Sequence, residues 1–335
     1  MTTIERLRAK GIRRTGSAQR GFRYQHSDGR KLTLAELARI ESLRIPPAWK
    51  DVRINPAAGG AVQALGRDAA GRWQYLYHEK YVHLRERKKM ARLIQFAQSL
   101  PELRKTVARH LRLPGLPRER VMAAIQRILS ASFIRPGSQI YADENGSYGI
   151  ATLRPQHVKV KGDLIVFDFP GKSGVKQHRE FRDRRVARVI RELLNQGCRE
   201  VFAYQNGDGQ FVDVKRRHIN RYIKEVMGQN FSAKDFRTWA GTLICACALA
   251  RDGAAANGHK VISQRQWATA IKEAAAALGN TPAVCRKSYV CPVLFDRFQK
   301  GEVVAHYFNS VEDLINYRGT GLHPAERSLL RFLKR

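Results

Sequence analysis

The chain has 335 residues, with 61 lysines and arginines against 29 acidic residues, so its formal net charge is +32. A charge excess of this size would repel itself unless a polyanion offsets it, and nucleic acid is the partner that fits best. With 43% hydrophobic residues the chain can bury sizeable cores, which excludes a disordered basic tail. The chain is longer than a single hydrophobic core usually serves, so two domains are predicted.

Several other functional classes lack the signals that they would require. The first residues contain no apolar run of the signal-peptide type, and the longest apolar run, residues 243–250, is too short to span a bilayer. No amphipathic anchor or lipidation signal supports a membrane-surface protein. The five cysteines form no CxxC pair, and Cys245 and Cys247 would point to different faces of a helix, so no metal site is predicted. We therefore expect a protein of the reducing cytoplasm, without a membrane partner.

The first 80 residues are polar and rich in turns, and their apolar residues recur with the short period of β-strands. Residues 21–24 and 73–77 alternate as strands do. Residues 33–43 predict a short helix, for which Thr33 is the candidate N-cap. These patterns predict a β-rich N-terminal domain over residues 1–80.

From residue 81 onward the hydrophobic period changes to that of helices. A segment with the pattern of β-strands interrupts the predicted helices, and it predicts strands over 149–153, 158–161 and 164–169. Segments with a helical pattern, in which apolar residues recur every three or four positions, cover 79–99, 101–111, 118–131, 182–195, 215–228, 232–251, 263–278 and 285–299. The whole chain is therefore predicted to be an α+β protein, with a mainly helical domain over 81–335 that contains a small antiparallel sheet.

One motif sets a phenol beside two cations. Tyr289 follows Arg286 and Lys287, nine residues after Asn280. Tyrosine titrates near pH 10, so this phenol is a weak nucleophile at neutral pH unless cations assist it. The motif suggests a phenol directed at a phosphate group, and the alternative is an ordinary tyrosine on a helix surface.

Four other motifs could bind a phosphate, and each also has an ordinary structural interpretation. Arg135, at the end of a predicted helix, could place its planar guanidinium on a phosphate or remain a solvated arginine. Lys172 stands in a glycine-flanked turn and could equally be the tip of a surface hairpin. Arg237 lies near the start of a predicted helix, where free N–H groups favour an anion, or this turn could simply be fixed by an ion pair between Asp235 and a basic neighbour. Thr281 or Asn280 could simply cap the helix that begins at Pro282.

The order of these five residues along the chain is more specific than any one of them. It resembles that of the type IB DNA topoisomerases, in particular the small poxvirus-like branch found in many bacteria. The resemblance covers nearly the whole chain. It extends to further segments at residues 44–49, 71–77, 141–146, 149–153 and 175–178.

The resemblance implies a role for each of the five residues. Tyr289 would attack a DNA phosphodiester, form a 3′-phosphotyrosyl bond and expel a 5′-hydroxyl. Arg135 and Arg237 would clamp the non-bridging oxygens, and Lys172 would protonate the leaving 5′-oxygen. Asn280 would donate a hydrogen bond to a phosphate oxygen. The poxvirus pattern has histidine there, and because an amide cannot transfer a proton, only hydrogen bonding is expected of Asn280.

The resemblance also implies contacts to duplex DNA. The matching residues are Arg72, Gln74, Tyr75, Tyr77, Tyr141, Lys159 and His178. Tyr75 and Tyr77 would share one face of a strand, while Gln74 would point the other way unless a bulge intervenes. The two tyrosines could instead be half-buried sheet residues, and Lys159 and His178 could be solvated or structural.

The activity implied by the resemblance is relaxation of positive and negative supercoils without ATP, metal or another cofactor. Two fixed guanidiniums can supply the charge that Mg²⁺ supplies elsewhere. The resemblance further implies a nucleoid-associated monomer that closes as a clamp around DNA, with a hinge near residue 80 and a catalytic domain over 81–335.

Two alternatives remain open. A tyrosine recombinase uses a similar residue set, but it usually has a HxxR motif where this chain has Lys234, and its N-terminal domain is helical. A basic DNA-binding clamp without activity would explain the charge, but it would not explain the order of five motifs.

Overall fold

The protein has an α+β architecture, as predicted. The computed structural model describes residues 2–228, 230–254 and 263–335. It divides into two units, Met1–Lys88 and Lys89–Arg335. The predicted boundary at residue 80 between a DNA-clamp domain and a catalytic domain stays a prediction.

The N-terminal unit is built on an antiparallel five-stranded sheet with the strand order β2-β1-β3-β4-β5. The strands predicted at 21–24 and 73–77 are confirmed, and Thr33 caps a helix through a capping box with Glu36. The elements of this unit are α1 (Thr3–Lys10), β1 (Ile12–Ser17), β2 (Gly21–Gln25), α2 (Leu34–Ser42), β3 (Lys50–Ile54), β4 (Val62–Arg67) and β5 (Trp73–Tyr77).

The C-terminal unit is mainly helical and contains the predicted small antiparallel sheet, with the strand order β6-β7-β8. A hairpin, β9–β10, is its second sheet. The elements that follow β5 are α3 (Glu79–His110), α4 (Arg118–Ser132), α5 (Gln139–Asn145), β6 (Val158–Lys161), β7 (Leu164–Pro170), β8 (Lys176–Arg182), α6 (Arg184–Leu194), β9 (Ala203–Gln205), β10 (Phe211–Asp213), α7 (Arg216–Met227), α8 (Ala233–Ala254), α9 (Gln264–Leu278), α10 (Pro282–Ser288), α11 (Val293–Gln299), α12 (Val311–Ile315) and α13 (Pro324–Lys334).

Helix α8 passes through the core of the C-terminal unit. Its residues from Phe236 to Ala250 are all buried, including the polar Arg237 and Thr242. At the start of α8, Arg92 forms a bidentate ion pair with Asp235, with N–O distances of 2.6 and 2.7 Å. Asp235 also accepts a hydrogen bond from the Ser232 backbone N–H. These contacts fix the helical turn that carries Arg237.

The predicted strand over 149–153 is wrong. Residues Ile150–Thr152 form a 3₁₀ turn instead. The N–H groups of Ile150 and Ala151 donate to the carbonyls of Arg135 and Pro136, at 2.9 and 3.0 Å. Local alternation of apolar residues could not reveal this long-range pairing.

The helix boundaries at two places also differ from the prediction. The helices expected over 79–99 and 101–111 are one helix, α3, with Pro101 inside it. Leu100 and Leu103 are buried on either side of Pro101, and this burial opposes the roughly 3 kcal/mol that an interior proline costs. The helix expected over 285–299 is two helices, α10 and α11, and Tyr289 lies at the break.

None of the described helices combines the length and the hydropathy that are needed to cross a bilayer.

We predict that Glu326→Ala destabilises the protein strongly. Glu326 is 1% exposed, and it accepts two hydrogen bonds from Arg104 and one from the Trp239 indole. Removing one partner of a buried pair leaves the other charge without compensation, so the expected loss in urea unfolding is about 3 kcal/mol. Glu225→Ala removes the exposed partner of Arg118 and should cost at most about 1 kcal/mol. Equal losses of stability in the two variants would contradict the conclusion that the Glu326 pair is buried and the Glu225 pair is exposed.

Candidate active site

Arg237 is the buried centre of the candidate site. Its side chain projects from the first turns of α8, and the residue is only 3% exposed. Nη2 donates to the Leu278 carbonyl at 2.9 Å, and Nη1 donates to the Phe133 carbonyl. Nε is buried and has no hydrogen-bond partner among the described residues. The guanidinium is therefore held by two neutral carbonyls, and its Nε–H group remains available for an acceptor.

The carbonyl that receives Arg237 belongs to a residue in an uncommon backbone conformation. Phe133 caps the C-terminus of α4 with φ +55°, in the left-handed region. A bulky non-glycine residue adopts this region only at a cost of order 1–3 kcal/mol. The turn ends α4 and leads the chain directly to Arg135.

Tyr289 lies beneath Arg237 at the end of α10. The Arg237 guanidinium carbon is 4.9 Å from the centroid of the tyrosine ring. The Tyr289 N–H donates to the Cys285 carbonyl at 2.9 Å, and Thr242 Oγ1 lies 3.1 Å from the Tyr289 carbonyl oxygen. Gly241 makes this approach possible, because a Cβ there would lie 3.1 Å from the Tyr289 Cβ. Helix α8 thus positions both the cation and the phenol.

The pKa of the Tyr289 phenol lies below its ordinary value. Burial is the largest influence and opposes ionisation, but the charge of Arg237 acts the other way. The charges of Arg135 and Lys234 add to this effect, and together the cations outweigh burial. Arg237 itself remains a cation at neutral pH, although burial, followed by the Arg135 charge, lowers its pKa to about 10.

A hydrogen bond joins Arg135 and Asn280. The Arg135 Nη2 donates to Asn280 Oδ1, and the buried Asn280 Nδ2 donor has no partner among the residues that the structure describes. The Asn280 backbone N–H donates to the Ala275 carbonyl at 2.9 Å. The predicted cap of α10 is Thr281, whose hydroxyl accepts from the Val284 N–H. Asn280 is therefore free of capping, and its amide donor is available to a ligand.

Gly279 allows the chain to turn from α9 into this site. It caps α9 with φ +60°, which favours glycine. A Cβ at this position would lie 2.4 Å from Gln177 Oε1 and 2.6 Å from Arg179 Nη2. The positive φ therefore favours a glycine before Asn280, and a larger residue would also have to displace the ends of the Gln177 and Arg179 side chains.

Lys172 is not brought into contact with the other four residues. It lies exposed in a 3₁₀ turn, Lys172–Gly174, between β7 and β8. Ser173 and Gly174 both have positive φ, so the turn is tight. Within the described parts of the chain, no hydrogen bond or ion pair joins Lys172 to Arg135, Arg237 or Tyr289. The predicted turn is confirmed, and the role of Lys172 stays a prediction.

Arg179 is a site residue that the sequence interpretation missed. Its Nη2 donates to Gln177 Oε1 at 3.1 Å, beneath Gly279. Burial, and after it the Arg135 charge, lowers the pKa of Arg179. The alternation of β8 was the available signal, since it places Arg179 on the same face as the buried Gln177 and Phe181.

The DNA-contact candidates of the N-terminal unit lie on and beside β5. Arg72 and Gln74 both donate to Asp68 Oδ2, at 3.1 and 2.8 Å. The rings of Tyr75 and Tyr77 stack with their centroids 6.2 Å apart, so these tyrosines share a face as predicted. Contact of these four residues with DNA stays a prediction.

The candidates of the C-terminal unit are exposed. Tyr141 lies on α5 and is 61% exposed. Lys159 and His178 lie on the outward face of the β6-β7-β8 sheet, and the His178 Nδ1 is 2.8 Å from Asp168 Oδ1. Exposure permits DNA contact, which stays a prediction for all three residues.

No three His, Cys, Asp or Glu side chains are grouped as metal ligands in the described residues.

Comparison with known proteins identifies the relatives of the chain. Residues 78–301 match the family model of the eukaryotic DNA topoisomerase I catalytic core, and residues 21–68 match that of the bacterial DNA topoisomerase IB N-terminal domain. DNA topoisomerase 1B of Acanthamoeba polyphaga mimivirus is 32% identical over 305 residues, which are 89% of this chain and 90% of the viral protein. DNA topoisomerase 1B of vaccinia virus is 22% identical over 69% of this chain and 71% of its own length.

We predict that Gly279→Ala is more destabilising than Gly146→Ala. Both glycines cap helices with nearly equal positive φ, but a Cβ at Gly146 would meet nothing within 4 Å. Gly146→Ala should therefore cost only the backbone strain, about 1–2 kcal/mol, in urea unfolding. Gly279→Ala should cost about 1 kcal/mol more, because the new methyl group must also displace the ends of the Gln177 and Arg179 side chains. Equal costs would show that these two side chains move away without a penalty, which would contradict the prediction.

We predict that Tyr289 titrates below pH 10 and that Arg237→Gln raises its pKa. Losing the Arg237 cation removes the largest influence that opposes burial, and burial favours the neutral phenol. At a pH between the folded pKa and 10, the wild-type phenol is therefore more ionised than that of free tyrosine. Titration of ¹³C-labelled tyrosine by NMR measures this, with Tyr289→Phe to assign the signal. A Tyr289 pKa at or above 10 in the wild type would contradict the proposed balance.

Proposed function

The chain belongs to the type IB DNA topoisomerase family, and from this premise we propose that it relaxes positive and negative supercoils through a transient 3′-phosphotyrosyl bond, without ATP or a metal ion. The enzyme is accordingly a DNA-binding isomerase. The single observation that best supports the proposed chemistry is the buried Arg237, which lies over the Tyr289 ring and has, in the described parts of the chain, no acidic partner and no acceptor for its Nε–H. An anion is the natural ligand of such a group.

In the proposed cleavage step, the Tyr289 phenol oxygen attacks a phosphodiester phosphorus. A P–O bond to tyrosine forms, and the bond from phosphorus to the 5′-oxygen breaks. The cations around Tyr289 favour loss of its proton to solvent. Lys172 protonates the departing 5′-oxygen from its exposed turn. Resealing is the reverse reaction and needs no ATP, because the covalent phosphotyrosine conserves the energy of the backbone bond.

Three groups are proposed to stabilise the transition state. Arg237, through Nε, and Arg135 bind the non-bridging oxygens, where negative charge redistributes during the transfer. Asn280 donates a hydrogen bond through Nδ2, the buried donor without a protein partner. Preorganised donors of this kind each contribute about 10²–10³ in rate. Because these groups are cations and an amide, they could supply without a metal the charge stabilisation that the transition state needs.

We further propose that a monomer closes on duplex DNA as a clamp and works at the nucleoid. The excess of 61 basic over 29 acidic residues supports an extended contact with the phosphate backbone. Membership in the topoisomerase family rules against the recombinase and the inactive DNA-binding clamp as interpretations of the same residues.

We predict that the wild-type protein relaxes a supercoiled plasmid in the presence of EDTA and without ATP. Tyr289→Phe should abolish relaxation and covalent adduct formation, because the attacking oxygen is missing, while DNA affinity in a gel-shift assay stays within about threefold. Tyr307→Phe, at a partly exposed tyrosine outside the site, is the matched control and should relax plasmid at the wild-type rate. Adduct formation by Tyr289→Phe, or a strict requirement for Mg²⁺, would contradict the proposal.

A further inference from the structure

Arg179 is a partly buried cation that the proposed mechanism does not use. It lies on β8 between Gln177 and Phe181, which are both buried on the inward face of the strand. An inward-facing charge usually has an ionic partner, because burial penalises an unpaired charge. The protein partners of Arg179 are neutral: Nη1 donates to the His178 carbonyl at 3.0 Å, and Nη2 to Gln177 Oε1 at 3.1 Å.

The position of Arg179 places its charge next to the phosphate-binding groups. Its Nη2 lies 2.6 Å from where a Cβ on Gly279 would be, so the guanidinium touches the residue that precedes Asn280. Asn280 in turn accepts a hydrogen bond from Arg135. Arg179 therefore lies beside the chain segment that leads into Asn280.

Three guanidiniums thus act on one another without an acid to offset them. The charges of Arg135 and Arg179 both disfavour the charged form of Arg237, and Arg135 does the same to Arg179. No carboxylate of the described residues forms an ion pair with any of the three; their hydrogen bonds go to carbonyl and amide oxygens. Repulsion between like charges in a partly buried site weakens the free protein, and a bound anion would relieve it.

Resting on the proposed function, we infer that Arg179 is a third phosphate-binding cation, which contacts the scissile phosphate or the phosphate next to it from the Asn280 side. Two arginines already face the scissile phosphate in the proposed mechanism. A purely structural role is a poor explanation for Arg179, because a neutral amide could make the same bonds to Gln177 and His178 without repelling Arg135. A planar guanidinium can instead donate two hydrogen bonds to one phosphate.

The test is single-turnover cleavage of a duplex oligonucleotide at a site first mapped with the wild-type protein. Arg179→Gln keeps an amide in place of the guanidinium, and it should slow cleavage about 10- to 100-fold. Arg188→Ala, at an exposed arginine of α6, is the matched control for loss of one charge and should slow cleavage less than threefold. Arg179→Lys keeps the charge without the planar fork, and an intermediate loss is expected. It replaces Arg179→Gln if that variant does not fold.

The contacted phosphate is found by repeating the assay with one neutral methylphosphonate at a time, at the scissile phosphate and at each neighbour. If Arg179 binds a phosphate, the loss caused by Arg179→Gln should shrink at least fivefold at one of these positions, which names that phosphate. A loss that is the same at every position, or no loss at all, would overturn the inference. A wild-type protein that forms no adduct would overturn the proposed function instead, so the two failures are distinguishable.

Discussion

The arrangement of the site depends on a buried guanidinium that has no counter-ion within the described residues. Arg237 is held by the carbonyls of Phe133 and Leu278, which satisfy its hydrogen bonds in part but leave its charge unneutralised. A charge in this state is costly to bury, and it becomes favourable only when an anion enters. The remainder of the site follows from this requirement. Helix ends, turns and strand β8 place further donors around the position where that anion would bind.

This arrangement requires an uncommon backbone conformation or a close approach at a small number of residues. Phe133 adopts a left-handed conformation, and its carbonyl meets Arg237. Gly279 turns the chain from α9 toward Asn280 with a positive φ that favours glycine. Gly241 lets α8 approach Tyr289. Each feature destabilises the isolated segment and is retained because the surrounding core of α8 and α9 fixes it. Packing thus holds the buried donors of the proposed phosphate site, Arg237 and Asn280, in place.

Local patterns in the sequence could predict a large part of this fold. The start of α8, the sheet strands β6 and β7, and the cap at Thr33 follow from periodicity and capping chemistry that act within a few residues. The features that could not be predicted depend on contacts between residues that are far apart in the sequence. Residues 149–153 turn because they bond to Arg135 and Pro136, and α3 continues through Pro101 because the core covers both sides. Arg179 was missed for the same reason, since only the fold brings β8 beneath Gly279. The order of the five motifs identified the family. It did not show that, in the described residues, Lys172 forms no hydrogen bond or ion pair with the other four residues.

The central claim is that the Tyr289 phenol, beside unneutralised arginines, forms a covalent bond to a DNA 3′-phosphate. Tandem mass spectrometry of the peptide that stays attached to DNA after the adduct is trapped and digested tests this most directly. The account predicts one modified residue, Tyr289, joined through phosphate to the 3′ end of the cleaved strand, with a free 5′-hydroxyl on the other fragment. A linkage through another side chain, or a tyrosine joined to a 5′-phosphate, would contradict it.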